Sequence, residues 1–165
     1  FNRGTIQDKG KTIIGDDNWI MAYVHIAHDC IVGNNTIFAN SATLAGHVTI
    51  RDYAILGGFT LVHQFCEVGE HAFTGMGSAL GKDVAPYTMA YGSPAEPRGI
   101  NLEGLKRRGF TPEAMQHIKD AYRLLYRQNL TLNEALARIE AEMGQFTEIQ
   151  LLLDFCRRSE RGLIR

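Results

Sequence analysis

The residues most able to do chemistry in this chain are histidines of its first half. An imidazole titrates near neutral pH, so it can act as a general acid or base, and its unprotonated nitrogen can bind a metal ion. A single histidine is more often an ordinary surface or core residue, so grouping is the informative signal. The grouped candidates are His25, His28, Asp29, His47 and His63.

The spacing of these residues suggests that they share one site. His28, Gly46 and Gln64 are 18 residues apart, His47 directly follows Gly46, and His63 directly precedes Gln64. In a structure that repeats every 18 residues, such positions lie above one another, roughly 5 Å apart per turn. The spacing therefore predicts a row of outward-pointing imidazoles.

The sequence carries a repeat of the required length. In steps of six from Ile14 to Leu80, eleven of twelve residues are large and apolar, and the residue four places further on is nearly always small or β-branched. Neither a helical period of 3.6 nor strict alternation produces this pattern. Three hexads make one triangular coil, and the glycines that often follow the large residue are expected at its corners. We expect an all-β, left-handed parallel β-helix over residues 1–87.

The second half has a different composition and predicts helices. Residues 1–96 carry a net charge of -4 and residues 97–165 carry +3, and the total of -1 argues against a strongly basic nucleic-acid binder. Residues 88–100 are expected to be a connector, and residues 101–165 a small α-helical domain. Capping signals place its helices at 101–108, 112–128, 131–143 and 147–158, with Thr111, Thr131 and Thr147 as caps.

Two further features bear on where the protein works. No apolar run approaches the roughly 18–20 residues of a membrane span, so a soluble, cytoplasmic protein is expected. Cys30 and Cys66 are two coils apart, which is too far for a disulfide, and reduced, buried thiols are expected.

Four segments resemble the acyl-carrier-protein–UDP-N-acetylglucosamine O-acyltransferases, the hexapeptide-repeat family that begins lipid A biosynthesis. They are His25-Ile-Ala-His-Asp-Cys30, Leu44-Ala-Gly-His-Val48, Val62-His-Gln-Phe65 and Asn101-Leu-Glu-Gly-Leu-Lys-Arg-Arg-Gly-Phe110. The resemblance covers essentially the whole chain. Family members carry several coils before this point, so the chain is similar to a form truncated at its N-terminus.

The resemblance implies a reaction and a set of roles. An (R)-3-hydroxyacyl group would pass from acyl carrier protein to the 3-hydroxyl of UDP-N-acetylglucosamine, with no metal or other cofactor, in a homotrimer. His28 would be the general base, Asp29 would orient an imidazole, and the Gly46 N–H would stabilise the oxyanion. The implied substrate-binding residues are His25, His47, His63, Gln64, Asn101, Glu103, Arg107 and Arg108.

Two positions depart from the family pattern. Met76 resembles the position of the acyl-chain ruler, where long-chain members have Gly, so a shorter chain of about ten carbons is expected, each excluded methylene being worth about 0.8 kcal/mol. Alternatively, Met76 packs against a neighbouring subunit. Asn2 stands where the family usually has His.

Other functions remain open on the sequence. The histidines are also compatible with a zinc enzyme of the hexapeptide-fold carbonic anhydrase type. The UDP-3-O-acylglucosamine N-acyltransferase of the same pathway and a non-catalytic scaffold are the remaining alternatives.

Overall fold

The first half of the chain is a stack of parallel coils in the computed structural model, which describes residues 1–165. Twelve two-residue strands follow one another every six residues, and each of the first nine pairs in parallel with the strand three places further on. The strands are β1 Ile13–Ile14, β2 Trp19–Ile20, β3 His25–Ile26, β4 Ile31–Val32, β5 Ile37–Phe38, β6 Thr43–Leu44, β7 Thr49–Ile50, β8 Ile55–Leu56, β9 Leu61–Val62, β10 Glu67–Val68, β11 Phe73–Thr74 and β12 Ala79–Leu80. Because Ile31 pairs with Thr49 and Ile37 with Ile55, the predicted 18-residue coil is confirmed.

Three sheets form the faces of this prism. Face A contains β1, β4, β7 and β10, face B contains β2, β5, β8 and β11, and face C contains β3, β6, β9 and β12. The chain turns from face C to face A at residues 27–30, from A to B at 33–36, and from B to C at 39–42. These turns and their equivalents in the other coils are called edge CA, edge AB and edge BC.

The core of the prism contains the two sets of residues that the repeat selects. The large residues Phe38, Leu44 and Leu56 are fully buried, and so are the small residues Ala42 and Ala54. A large side chain therefore fills the centre of each coil while a small one fits beside the turn. The predicted pattern of inward-facing residues is confirmed.

The turns of the prism place left-handed backbone where the sequence did not suggest it. The residue three places after each large inward residue has positive φ in ten successive hexads from Asp17 to His71, and none of these residues is glycine. The glycines directly after the strands serve the stacking instead, since a Cβ on Gly57 would lie 2.5 Å from the Thr74 carbonyl oxygen in the next coil. These glycines therefore lie at the turns, as expected, but they do not supply the left-handed backbone there.

Residues 88–100, expected as a connector, form an antiparallel hairpin. Its strands are β13 Thr88–Gly92 and β14 Ala95–Ile100. Since β13 pairs in parallel with β11, the hairpin continues face B by two strands. The segment thus extends the prism and leads directly into the helices.

Four helices complete the chain, close to the predicted positions. They are α1 Leu102–Arg107, α2 Pro112–Tyr126, α3 Leu132–Met143 and α4 Thr147–Arg158. The Thr111 cap and the Thr131–Glu134 capping box are present as predicted. The cap predicted at Thr147 is wrong, because Phe146 occupies the cap position of α4 and makes no side-chain cap bond.

The helices have a core of their own and are tied to the prism near its end. Asp83 accepts a hydrogen bond from the Ser159 hydroxyl at 2.6 Å, and it forms a bridge with Leu163. All three cysteines are free and buried, as expected. None of the helices combines the length and the apolar character that crossing a bilayer requires.

Replacing an inward residue should destabilise the prism far more than replacing its outward neighbour. Leu44→Ala removes a fully buried side chain and should lower the free energy of unfolding by about 2–5 kcal/mol. Leu61→Ala, on the adjacent strand of face C and 54% exposed, is the matched control and should cost about 0.5 kcal/mol or less. Urea unfolding followed by circular dichroism measures both; equal losses would contradict the assigned core.

Candidate functional site

The residues selected from the sequence lie around three different edges of the prism. His28, Gly46 and Gln64 follow the turns of edge CA. The helix α1 lies beside edge AB, where Arg108 contacts His71, and Met76 lies on edge BC. A single chain therefore brings His28, Gly46 and Gln64 together on one edge. It leaves the α1 residues and Met76 at the other two edges.

His28 and Asp29 form a hydrogen-bonded pair on edge CA. The Nδ1 of His28 lies 3.0 Å from Oδ2 of Asp29, which is fully buried while the imidazole is 40% exposed. Asp29 is held in place from a second direction, since it accepts bonds from the Thr5 N–H at 3.1 Å and the Thr5 hydroxyl at 2.7 Å. The carboxylate is thus fixed in the protein and the imidazole faces solvent.

The charge state of Asp29 determines which nitrogen of His28 is free. Burial alone raises the pKa of Asp29, but the hydrogen bonds from Thr5 and His28 outweigh it and lower this pKa to about 2. An ionised carboxylate can only accept, so the neutral His28 ring carries its proton on Nδ1. Its Nε2 is then an acceptor, able to take a proton from a bound hydroxyl group.

Gly46 lies directly against the His28 ring in the next coil. A Cβ at this position would be 2.6 Å from Cε1 and 2.7 Å from Nε2 of His28, so no larger residue fits without moving the imidazole. The Gly46 N–H has no acceptor within the chain, as is also true of His28 and Gln64 at the equivalent turn positions. What distinguishes Gly46 is a free donor next to the exposed nitrogen of His28.

A second imidazole–carboxylate pair adjoins the first. His47 contacts His28 edge to face with ring centroids 5.1 Å apart, and its Nδ1 lies 2.7 Å from Oδ2 of Asp8. Phe65 stacks on the other side of His47 at 4.5 Å. Sequence reasoning found neither Asp8 nor Thr5, because the loop at residues 3–12 lies outside the hexad pattern. The available signal was that the hexad pattern starts only at Ile14, after this loop.

His25 and His63 border an open groove on face C. The groove has a volume of about 580 Å³, and most of its lining is apolar. It reaches Ala27 and Ala45, the residues that precede His28 and Gly46. An apolar chain lying in this groove would therefore end near the imidazole pair.

Arg161, near the end of the chain, makes two contacts with residues of this groove. Arg161 places a guanidinium nitrogen 3.3 Å from Nδ1 of His63 and donates to the Gly81 carbonyl at 3.1 Å. Sequence reasoning included the closing residues only as part of the resemblance and gave Arg161 no role. Gln64, beside His63, is exposed.

Helix α1 carries the remaining polar candidates in two arrangements. Glu103 and Arg107 are exposed and pair with each other at 3.3 Å. Asn101 is buried and caps the helix by accepting from the Gly104 N–H. This capping bond explains why the polar Asn101 side chain is buried, without the need for a bound ligand. Arg108 is half-buried, with its guanidinium over the Tyr53 ring at 5.2 Å.

The two departures from the family pattern lie in different places. Asn2 borders an open cleft of about 850 Å³ that His28 also lines, so it is close to the imidazole pair. Met76 is 81% exposed and does not line the groove on face C. Within one chain, the side chain of Met76 is left without a pocket.

Three possible metal donors do come close together at this site. Donor atoms of His28, Asp29 and His47 lie within 4.8 Å of one another. However, the Nδ1 atoms of both histidines face carboxylates, and both oxygens of Asp29 accept bonds from Thr5. These hydrogen bonds favour oriented imidazoles over a coordination shell.

Comparison with known proteins shows what this chain is similar to. Residues 83–164 match the family model "Udp N-acetylglucosamine O-acyltransferase; Domain 2", and residues 11–46 match the bacterial transferase hexapeptide model. The acyl-[acyl-carrier-protein]–UDP-N-acetylglucosamine O-acyltransferase of Thiobacillus denitrificans is 60% identical over all 165 residues. The chain belongs to this O-acyltransferase family. It spans about 64% of the length of that relative.

Solved structures of the O-acyltransferase family have the same fold. LpxA from Acinetobacter baumannii superposes with a TM-score of 0.95 at 44% identity, over 99% of this chain and 64% of the other. The UDP-N-acetylglucosamine acyltransferase LpxA from Bacteroides fragilis gives a TM-score of 0.95 at 44% identity, over 98% and 63%. The predicted fold class, a hexapeptide β-helix followed by helices, is confirmed.

The contact between Gly46 and His28 can be tested without an activity assay. Gly46→Ala should displace the imidazole, because the new Cβ would lie 2.6 Å from its ring. Gly58→Ala is the matched control at the equivalent turn position of edge BC, where the nearest atom is at 3.4 Å. The ring signals of His28 in NMR spectra should shift in the first variant only. Unchanged signals in Gly46→Ala would contradict the contact.

His71 should make stability depend on pH in a recognisable way. Burial, with the nearby charge of Arg108, lowers its pKa to about 4 in the folded chain, against about 6.5 when unfolded. The unfolded state therefore binds more protons between these values, and this contribution to stability falls as pH decreases from about 6.5 to 4. Urea unfolding at several pH values should show a shallower decline in His71→Phe, and identical declines would contradict the assignment.

Proposed function

We propose that this chain carries the catalytic centre of a UDP-N-acetylglucosamine O-acyltransferase. The reaction transfers an (R)-3-hydroxyacyl group from acyl carrier protein to the 3-hydroxyl of UDP-N-acetylglucosamine, the first step of lipid A biosynthesis. The observation that carries the proposal is the His28–Asp29 pair beside the free N–H of Gly46, in a chain of this family. With acyl carrier protein as donor, we place the reaction in the cytoplasm.

In this mechanism His28 removes the proton of the sugar hydroxyl as its oxygen attacks the thioester carbonyl. Ionised Asp29 keeps the His28 proton on Nδ1 and stabilises the imidazolium that forms at Nε2. The Gly46 N–H donates to the oxyanion, and the thiol of the carrier leaves with the proton that His28 gives back. A thioester is already activated, so the transfer needs no resident metal or cofactor.

The groove on face C is suited to the acyl chain. Its lining is largely apolar and passes Ala27 and Ala45, so the reactive carbon of a bound chain would lie near His28. His25 and His47 are then available to the hydroxyl groups of sugar and acyl chain, and His63 and Gln64 to the acceptor. Glu103, Arg107 and Arg108, with Asn101 at the cap of their helix, would bind the nucleotide.

We propose a homotrimer as the working unit. The nucleotide candidates lie beside edge AB, whereas His28 lies on edge CA and Met76 on edge BC, so one chain cannot gather them. Neighbouring prisms packed around a common axis would bring different edges together. Trp19, Tyr23 and Phe59 are between 61% and 88% exposed in the single chain, which suits burial between subunits. Met76 would then close the end of a groove shared by two chains.

An acyl-transfer assay tests the proposed base. His28→Ala should lower kcat by about 10²- to 10⁴-fold, because the sugar hydroxyl loses its proton acceptor. His117→Ala, which removes an imidazole paired with Glu148 in the helical half, is the control and should retain activity. Equal rates for His28→Ala and the unaltered chain would contradict the proposal, and a stoichiometric metal content in the purified protein would favour the zinc alternative.

Donors of different length test the role of Met76. We expect the unaltered chain to prefer acyl chains of about ten carbons and Met76→Gly to accept longer ones, because the thioether side chain would occupy the end of the groove. The measurement is kcat/KM for carrier proteins loaded with hydroxyacyl chains of several lengths. An unchanged preference in Met76→Gly would contradict the ruler and leave subunit packing as the role of this residue.

A further inference from the structure

Arg108, the residue that caps the end of α1, differs from the neighbouring Arg107 in having no acidic partner. Arg107 pairs with Glu103 at 3.3 Å, whereas no carboxylate oxygen lies within 4.0 Å of the Arg108 guanidinium. Arg108 is nevertheless half-buried, and this burial lowers its pKa. A partly desolvated positive charge without a neutralising acid is costly, and a bound anion would offset that cost.

The contacts that hold Arg108 are neutral ones. Its Nη1 lies 3.3 Å from Nδ1 of His71, and its guanidinium carbon lies 5.2 Å from the centre of the Tyr53 ring. A guanidinium can only donate, so Nδ1 of His71 accepts and the imidazole is neutral. These contacts fix the direction of the guanidinium and leave its charge uncancelled.

His71 is itself fixed by its surroundings. Its ring stacks on Tyr53 with centroids 4.9 Å apart and on Tyr87 at 5.9 Å, and Phe110 meets its edge at 5.0 Å. Its backbone carbonyl accepts a bond from the Asn101 side chain at 3.1 Å. One residue of edge AB thereby anchors both the start of α1 and the arginine that follows it.

We propose that His71 is a positioning residue that, with Tyr53, holds the Arg108 guanidinium un-neutralised to bind a phosphate of a nucleoside diphosphate. This inference rests on the proposed function for the identity of the ligand. A guanidinium has five N–H donors, and one bond to His71 leaves a pair free for two phosphate oxygens. A carboxylate in place of His71 would orient Arg108 equally well but would cancel the charge that attracts the ligand.

The positioning step is tested in the free chain with the variant His71→Phe. Phenylalanine keeps the stacked ring and removes the acceptor, and Phe59 and Phe65 already occupy the same left-handed turn position with φ of 57° and 65°. In NMR spectra of the unaltered chain we expect slow rotation of the Arg108 guanidinium, and fast rotation in His71→Phe. His117→Phe, an imidazole stacked on Phe146 at 3.6 Å, is the matched control and should leave the Arg108 signal unchanged. Slow rotation retained in His71→Phe would overturn the proposal.

The ligand is tested by calorimetric titration with UDP. We expect roughly five- to tenfold weaker binding in His71→Phe, and no further loss when the change is added to Arg108→Ala, because His71 acts through Arg108. Full additivity of the two changes would overturn the proposal. If His71→Phe does not fold, Tyr53→Leu removes the other support and should weaken UDP binding in the same non-additive way. A chain in which Arg108 is held by His71 but UDP does not bind would contradict the proposed function rather than the positioning.

Discussion

Parallel backbone hydrogen bonds between residues of adjacent coils support every other feature of this molecule. The Ile31 N–H donates to the Val48 carbonyl at 2.9 Å, and the same pattern recurs at the turns, where the His47 N–H donates to the His28 carbonyl at 3.1 Å. This ladder sets the distance between coils, so residues 18 apart must pack against each other. The close approach of Gly46 to the His28 ring follows from it, as does the stacking of Tyr53 on His71.

The electrostatics of the two polar regions are opposite in kind. On edge CA, carboxylates orient the imidazoles, with Asp29 against His28 and Asp8 against His47. An ionised acid there holds a proton on Nδ1 and leaves Nε2 free to accept one. Beside edge AB, Arg108 is oriented by a neutral imidazole and an aromatic face. The first arrangement suits proton transfer, and the second suits attraction of an anion.

The sequence predicts the prism well because its signal is local and repeated. Each coil needs large residues such as Leu44 and small ones such as Ala42 at fixed positions. The same pattern recurs in twelve successive hexads, so it is readily recognised in the sequence. The row of His28, Gly46 and Gln64 follows from the 18-residue period of the coils. Thr5 and Asp8 could not be predicted in this way, because they lie in a loop outside the repeat. From this loop Thr5 contacts Asp29 and Asp8 contacts His47.

Prediction also failed where the physical cause lies in tertiary packing. The repeat places glycines at the turns, but it does not reveal that the Cβ of a larger residue at Gly57 would collide with the next coil. His71 lies outside the predicted row of histidines, and its sequence neighbours give no sign of its role. Its role depends on Arg108, 37 residues further along the chain, and on which edge α1 packs against. No periodic pattern encodes that contact.

The three edges have a consequence for how such a chain tolerates length changes. Inserting or deleting 18 residues adds or removes one coil and leaves all later side chains on their original edges. A deletion of six residues, although it preserves the alternation of large and small core residues, moves every later residue to a different edge. Such a deletion placed between Asp29 and Gly46 would leave a well-packed prism with His28 and Gly46 on separate corners. The fold therefore tolerates changes of six residues, whereas the proposed catalytic centre tolerates only changes by whole coils of 18 residues.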